Sequence, residues 1–306
     1  MNNRETCILC GEAIKQTVPA VISPWIRNLG IRKRTSRFIK CDKCDFGFFS
    51  YRYDAVEMAQ IYSGYRNETY FRIRNNWEPW YSKSYNSNHD SANWIHSRKL
   101  GIEQFLVPFI GESKLRIADV GGDAGQFIPD LASKKYVVDP SRKPSASGVE
   151  SVTDFKDLPE VDLIIYAHVL EHVSDPVLEV SMLFSKASKV YIEVPYGVPR
   201  ITPSRRSMIR FFRKILRSVH PFLWRNETRP STGRSVKSED TLTQSEHLNF
   251  FSEEAIEQLS LRVSAKVEIR RAQIETPDYM KAEVLQCLLF KVKEPEITLV
   301  PTVEEK

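Results

Sequence analysis

LRIADVGGDAGQFIPDLASKKYVVDP, residues 115–140, is the stretch on which the fold turns. LRIADVG (115–121) is an apolar run closed by glycines, the pattern of a buried strand. GQFIPDLAS (125–133) predicts a helix and YVVDP (136–140) a second strand. The turn between them, Asp119-Val120-Gly121-Gly122-Asp123-Ala124-Gly125, carries glycines after a strand and before a predicted helix. Such glycines let the backbone turn tightly and approach a ligand closely. Taken alone, the turn is explained as well by tight chain reversal. Asp139 ends the second strand twenty residues after Asp119, where an acid can accept both hydroxyls of a ribose.

The same alternation extends outward. GVESVTDF (148–155) and VDLIIYAHV (161–169) predict a third and a fourth strand, residues 171–187 a helix, and KVYIEVP (189–195) a fifth strand. SEEAIEQLS (252–260) has a capping-box look with Ser252 as N-cap, and AKVEIRRAQI (265–274) and EVLQCLLFKV (283–292) predict two closing strands. Upstream, an amphipathic helix is expected from about residue 91, with Leu100, Phe105, Leu106, Phe109 and Ile110 as its apolar face and Gly111 as its end. Strands alternating with helices predict an α/β doubly wound, Rossmann-like sheet with a parallel core, whose ligands bind beyond the carboxyl ends of the strands.

In these residues the chain resembles class I S-adenosylmethionine-dependent methyltransferases over roughly residues 90–295. Asp119, Gly121 and Gly125 match the family's first motif, with Asp123 where its middle glycine stands. DLIIYAHVLEHVSDP (162–176) and EHLNFF (246–251) are similar to the corresponding family segments. The resemblance implies that Asp119, Gly121, Gly122 and Gly125 flank the methionine part of S-adenosylmethionine. It likewise implies that Asp139 holds the ribose, that Asp154 and Phe155 hold the adenine, and that His168 borders the cofactor. A dehydrogenase-type nucleotide fold is the competing expectation, and the phosphate-cradling GxGxxG spacing it needs is absent.

Methyl transfer from a sulfonium needs in-line placement of the nucleophile and, for a hydroxyl or carbon acid, a base. His168, Glu171 and His172 fall at i, i+3, i+4, one face of a helix if the helix starts there. His168 or His172 is then the candidate base, with Glu193 or His247 as a fallback. Two alternatives stand beside this reading. Glu171 and His172 can cap the helix and orient its packing, or the group can bind a metal, as the Glu, Glu and His of some quinone-biosynthesis methyltransferases do.

Cys7-x-x-Cys10 and Cys41-x-x-Cys44 form the most specific local signal, two knuckles able to clasp one structural Zn²⁺. The interval of thirty residues exceeds the usual spacing, so a loop from Pro19 to about Lys33 is expected to bulge between them. Cys287 reads as a small buried apolar residue. Zinc modules fused to this fold resemble bacterial sugar and surface-polysaccharide methyltransferases, or ribosomal-RNA base methyltransferases. The aromatic stretch at Tyr62, Tyr65, Arg66, Tyr70 and Arg72 and the EVP of Glu193–Pro195 look more like the first group. That stretch is equally read as packing that joins the module to the catalytic domain.

The expected organisation is a zinc module (1–50), an aromatic segment (51–95), the methyltransferase domain (96–295) with an insertion at 198–245, and a tail (296–306). Residues 200–237 hold eleven Lys/Arg and one acid, on a chain whose net charge is only +5, so the remainder is net acidic. Within this insertion, apolar and basic residues alternate at helical spacing over 203–220. A lid helix, a helix on an anionic membrane surface, or a contact with a phosphate-rich acceptor all fit. No apolar run is long enough to span a membrane, and residues 1–30 lack a signal-peptide pattern. A cytoplasmic enzyme, at most peripheral to the inner membrane face, is expected. Its acceptor would be a saccharide, nucleotide- or lipid-linked. RNA is the enzyme alternative, and a zinc-organised binding protein without activity is the non-enzyme one.

Overall fold

The computed structural model describes residues 6–111, 114–141, 143–202, 235–237, 241–277 and 280–292. The N-terminal part contains β1 (Gln16–Ile22), α1 (Pro24–Asn28), β2 (Thr35–Lys40) and β3 (Gly47–Phe49), then the helices α2 (Ala55–Tyr62), α3 (Glu68–Trp77), α4 (Lys83–Asn88) and α5 (Ala92–Ile110). The central part follows with β4 (Leu115–Val120), β5 (Ala132–Val138), β6 (Val149–Val152), β7 (Leu163–Ala167), α6 (Pro176–Leu183) and β8 (Lys189–Pro195). Last come β9 (Arg200–Thr202), β10 (Ser235–Lys237), β11 (Leu242–Gln244), β12 (Asn249–Phe250), α7 (Glu253–Arg262), β13 (Ala265–Glu275) and β14 (Lys281–Lys291).

Seven strands form the main sheet in the order β13-β14-β8-β7-β4-β5-β6. β6, β5, β4, β7 and β8 run parallel, and β14 is inserted antiparallel between β8 and β13. This is the doubly wound α/β sheet expected from the alternation of strands and helices. The chain leaves β4 to one side for β5 and returns to its other side for β7, so the switch point lies at the carboxyl end of β4. Residue alternation splits the core in two. Ile117, Leu163, Ile165, Tyr191 and Leu288 pack under α5 through Ile102, Phe105 and Leu106. Ala118, Ile164, Tyr166, Val190 and Ile192 face α7 residues and the cysteine knuckles.

Several local expectations change. Residues 125–133 form turns, closed by bonds such as Gly125 N–H to Gly122 O at 2.8 Å and Ala132 N–H to Pro129 O at 3.3 Å. Pro129 lacks the N–H a helix there would need and disfavours helical backbone at Ile128. The helix expected over 171–187 begins only at Pro176. Asp175 caps it, accepting from Val177 and Leu178 N–H, with proline in the first turn. His168, Glu171 and His172 therefore lie on a turn, not a helical face. On α5, Leu100 is 45% and Phe109 38% exposed, while Trp94 and Ile102 share the buried side with Phe105 and Leu106. Ser252 does cap α7 through Ala255 N–H, but alanine at N3 leaves no side chain to complete a capping box.

No loop bulges between the knuckles. β1 pairs antiparallel with β2, and Val18, Ala20 and Ile22 point inward at every second residue. The module does not close at residue 50 either: a five-stranded sheet, β11-β1-β2-β3-β12, takes its two edge strands from residues 242–250. Tyr53, Tyr70 and Tyr81 fill a satellite core with Trp25, Ile26 and Leu248, so much of the aromatic stretch is packing. The helix expected at 203–220 and the tail at 296–306 lie outside the described residues.

Candidate active site

The glycine loop after β4 has the close approaches its composition implies. Gly121 sits at φ 77°, and a β-carbon there would fall 2.7 Å from Val169 Cγ2; Gly125, at φ 71°, would meet Val137 and Val149. Asp119, 2% exposed, closes β4. Burial first, and then the neighbouring Asp139 and Asp123 carboxylates, push its pKa up to about 7. Asp139 reaches back across the loop: its carboxylate accepts from Asp123 N–H at 2.8 Å and Ser141 N–H at 2.7 Å. Asp154 is on the exposed end of β6, where it accepts from Lys156 N–H and pairs with the Lys156 ammonium at 3.3 Å. Phe155 beside it packs against the main core.

His168 follows β7 in left-handed backbone, φ 57°, with its N–H bonded to Glu193 O at 2.7 Å. Its imidazole bridges two carboxylates, Nε2 2.9 Å from Glu193 and Nδ1 3.4 Å from Glu171. Burial opposes the charge, but the facing Glu171 and Glu193 carboxylates outweigh it and raise the His168 pKa to about 9. A protonated ring has no lone pair to offer, so His168 is a poor base. Glu193 is no better. Fully buried, it is engaged by the Arg98 guanidinium, Tyr191 Oη at 2.7 Å and Gln286 Nε2 at 3.1 Å as well as by His168. Burial alone would raise its pKa, yet Arg98 and His168 hold it well below the ordinary carboxylate range.

On the other side of Glu171 the pairing stops. Its side chain is buried, and neither carboxylate oxygen has a hydrogen-bond partner. Ligand atoms of Glu171, His172 and His247 all lie within 4.8 Å of one another, close enough to hold one metal ion between them. His172 Nδ1 is 3.2 Å from Glu246 O, an atom that only accepts, so Nδ1 carries the proton and Nε2 faces Glu171 at 3.8 Å. The His247 ring lies 4.7 Å from that of His172. Burial and then the neighbouring His172 depress the His247 pKa to about 4, leaving a neutral ring near pH 7. The hydroxyl oxygen of Tyr62, whose ring is 5.9 Å from His172, is buried with no partner.

Three distant segments are fastened together to build this cluster. Arg52 donates to Val173 O, Ser174 O, Leu248 O and the Asn249 side chain. Asn249 in turn donates to Leu170 O and Val173 O, and the Glu171 carbonyl accepts from Leu248 and Asn249 N–H. Glu246 is gripped by the buried Arg74 at 2.5 Å, which also holds Glu78 at 2.9 Å and lies 4.3 Å from the Tyr81 ring centre. The aromatic segment thus positions the residue next to His247. EHLNFF was noticed in the sequence, but nothing local shows that His247 meets His172.

Cys7, Cys10, Cys41 and Cys44 converge, with Sγ–Sγ distances of 3.8 Å for Cys7–Cys44 and 3.5 Å for Cys10–Cys41. A tetrahedral zinc with Zn–S of about 2.3 Å would separate its sulfurs by about 3.8 Å, so the four residues fit that ion. Gly11, at φ 77°, closes the first knuckle with its N–H on Cys7 O at 2.9 Å. Cys287 is fully buried, away from this group, as expected.

No protein-family model and no curated protein matches the chain. Solved structures do. The magnesium protoporphyrin IX methyltransferase of Synechocystis PCC 6803 with bound SAH is 14% identical, with a TM-score of 0.41, covering 77% of this chain and 99% of its own. The Burkholderia thailandensis 1,6-didemethyltoxoflavin-N1-methyltransferase, bound to 1,6-didemethyltoxoflavin and S-adenosylhomocysteine, is 10% identical with a TM-score of 0.45, covering 84% and 96%. The N-terminal domain of EvdMO1, in the presence of SAH and D-fucose, is 12% identical with a TM-score of 0.38, covering 64% and 83%. The ligands named belong to those proteins.

Proposed function

We propose that the protein transfers a methyl group from S-adenosylmethionine to a saccharide, nucleotide- or lipid-linked, at a position that must shed a proton. The observation that carries this reading is the under-paired cluster of Glu171, His172 and His247 at the carboxyl end of β7, the strand beside the glycine loop of β4. The bound cofactor supplies an electrophilic sulfonium methyl. On the protein side, Gly121 and Gly122 would line its methionine part with bare backbone, Asp139 would hold the ribose, and Asp154 with Phe155 the adenine. His247, neutral and beside Glu171, takes the acceptor's proton, while His168, as a cation, balances Glu171 and Glu193. The depressed pKa of His247 makes it a weak base in the ground state. Its imidazolium would be stabilised by Glu171 and Glu246 as the proton arrives.

Support for a saccharide is the zinc module joined to this sheet, which resembles sugar-modifying methyltransferases; RNA is the alternative acceptor. Calorimetry should detect S-adenosylhomocysteine binding, weakened roughly tenfold or more by Asp139→Ala. Labelled methyl transfer should then be offered sugar nucleotides, lipid-linked saccharides and RNA. Label in RNA alone would replace the saccharide reading, and absence of cofactor binding would remove the enzyme. The four cysteines are proposed to hold one structural zinc. Elemental analysis of the parent, and of Cys41→Ser/Cys44→Ser, should find about one zinc per chain and then a loss. The basic stretch at 203–220 is proposed to meet an anionic membrane, so parent protein should bind anionic vesicles at low salt and release them as salt rises.

A further inference from the structure

We infer that Arg66 is the receptor for the α-carboxylate of the methionine part of S-adenosylmethionine, and that Asp123 is an intramolecular stand-in for it. This rests on reading the glycine loop as the cofactor site. Arg66 lies on the turn between α2 and α3, in left-handed backbone at φ 63°, with its carbonyl accepting from Asn86 Nδ2 at 3.0 Å. Its side chain is 8% exposed, and only Nη2 has a hydrogen-bond partner, Asp123 Oδ2 at 2.5 Å. Nε and Nη1 are buried with none; the nearest further anion is Asp90, 3.8 Å from Nη1 and itself 72% exposed. A guanidinium offers a planar fork that suits two oxygens of one carboxylate. Asp123 uses one nitrogen of that fork.

Asp123 occupies the place in the loop where the family resemblance expects glycine. It adopts φ 56°, a backbone region that glycine occupies freely and side-chain-bearing residues seldom do. Its carboxylate is 13% exposed and is also approached by the Lys143 ammonium at 2.9 Å. A strained acid placed against a buried arginine beside the cofactor loop has a physical reason: the guanidinium needs a counter-charge whether or not the cofactor is bound. S-adenosylmethionine carries a single carboxylate, on its amino-acid part. Arg66 exchanges Asp123 for that group, or shares itself between the two, and Lys143 keeps Asp123 paired.

The test compares S-adenosylhomocysteine with 5′-methylthioadenosine, which keeps the nucleoside and thioether and lacks the amino acid. Calorimetry on full-length parent, Arg66→Gln and Asp123→Asn is expected to give three results. Arg66→Gln loses roughly tenfold or more in S-adenosylhomocysteine affinity and binds 5′-methylthioadenosine like the parent. Asp123→Asn, freed of the competing carboxylate, binds S-adenosylhomocysteine more tightly than the parent. The analogue's affinity is unmoved in either variant. Equal losses for both ligands, or no loss in Arg66→Gln, overturn the carboxylate receptor; weaker binding in Asp123→Asn overturns the stand-in. Should Arg66→Gln not fold, Arg66→Lys keeps the charge without the fork and reads the same ratio. A parent that binds neither ligand removes the cofactor site and this inference with it, whereas a parent that binds both leaves the inference to stand or fall alone.

Discussion

His168 and His247 share Glu171 as a neighbour, yet their surroundings differ in how completely they are paired. Around His168 every strong charge is answered: Glu193 meets Arg98, Tyr191 and Gln286, and the ring itself reaches both Glu193 and Glu171. Around His247, buried Glu171 has only the longer ion-pair contacts to His168 at 3.4 Å and His172 at 3.8 Å and no hydrogen bond, and the Tyr62 hydroxyl has no partner. Buried polar groups are nearly always satisfied, so an exception asks for an explanation. A saturated network fixes geometry; an unsaturated one keeps capacity for a proton, an ion or a substrate hydroxyl. On the proposed reading, the first region belongs to the scaffold and the second to the chemistry.

Arg98→Met should break the first region most severely. It leaves Glu193 fully buried without its strongest partner, and removing one member of a buried pair costs about 3–5 kcal/mol. Urea unfolding should show that loss. A change below about 1 kcal/mol would mean that the network is not structural.

Next in size is the contrast in turnover. His247→Ala is expected to lower kcat on the order of 10²-fold or more while S-adenosylhomocysteine binds as before. His172→Ala, which removes the ring that orients it, should fall in the same direction. If His168→Asn loses as much turnover as His247→Ala at unchanged stability, the two regions do not divide scaffold from chemistry as argued.

The difference between the regions also explains what the sequence disclosed. Gly121, Asp139 and the four cysteines announce themselves through spacing of a few residues, and the structure brings the cysteines together. The strands of the main sheet followed from apolar runs between turn residues, though their order did not. By contrast, Arg98 and Glu193 are 95 positions apart, and His172 and Glu246 are 74 apart. No local pattern encodes such pairs. Two departures carry legible signals: Pro129 opposes a helix over 125–133, and Asp175-Pro176 marks where the next helix starts. The apolarity of Leu100 and Phe109 points to the buried face of α5, but helical phase turns both outward. Trp94, Arg98, Ile102 and Phe105, the residues that are buried, define the true stripe, and Arg98 hid from it as a charge.

Tyr62→Phe sharpens the comparison more gently. The hydroxyl satisfies nothing within the described residues, so deleting it should leave stability unchanged or raise it by up to about 1 kcal/mol. If that hydroxyl serves the acceptor, KM should rise roughly three- to tenfold, the worth of one neutral hydrogen bond. Loss of stability in thermal unfolding would instead place Tyr62 with the scaffold.

The effect that separates the regions by sign is the pH dependence of the two imidazoles. The folded-state pKa of His168 is raised from 6.5 to about 9. Its contribution to stability is therefore complete below about 6.5 and is lost as pH climbs through 9. For His247 the folded value falls from 6.5 to about 4, so the unfolded chain binds the proton first. Stability associated with that ring is present above about 6.5 and is lost as pH falls toward 4. Unfolding curves collected across this range should flatten at the alkaline end in His168→Asn and at the acidic end in His247→Asn. Imidazole Cε1 proton shifts near pH 7.5 offer the direct check, one ring charged and the other neutral. Two neutral rings would leave Glu193 and Glu171 without the cation that this account places between them, and His168 would then rejoin His247 as a candidate base.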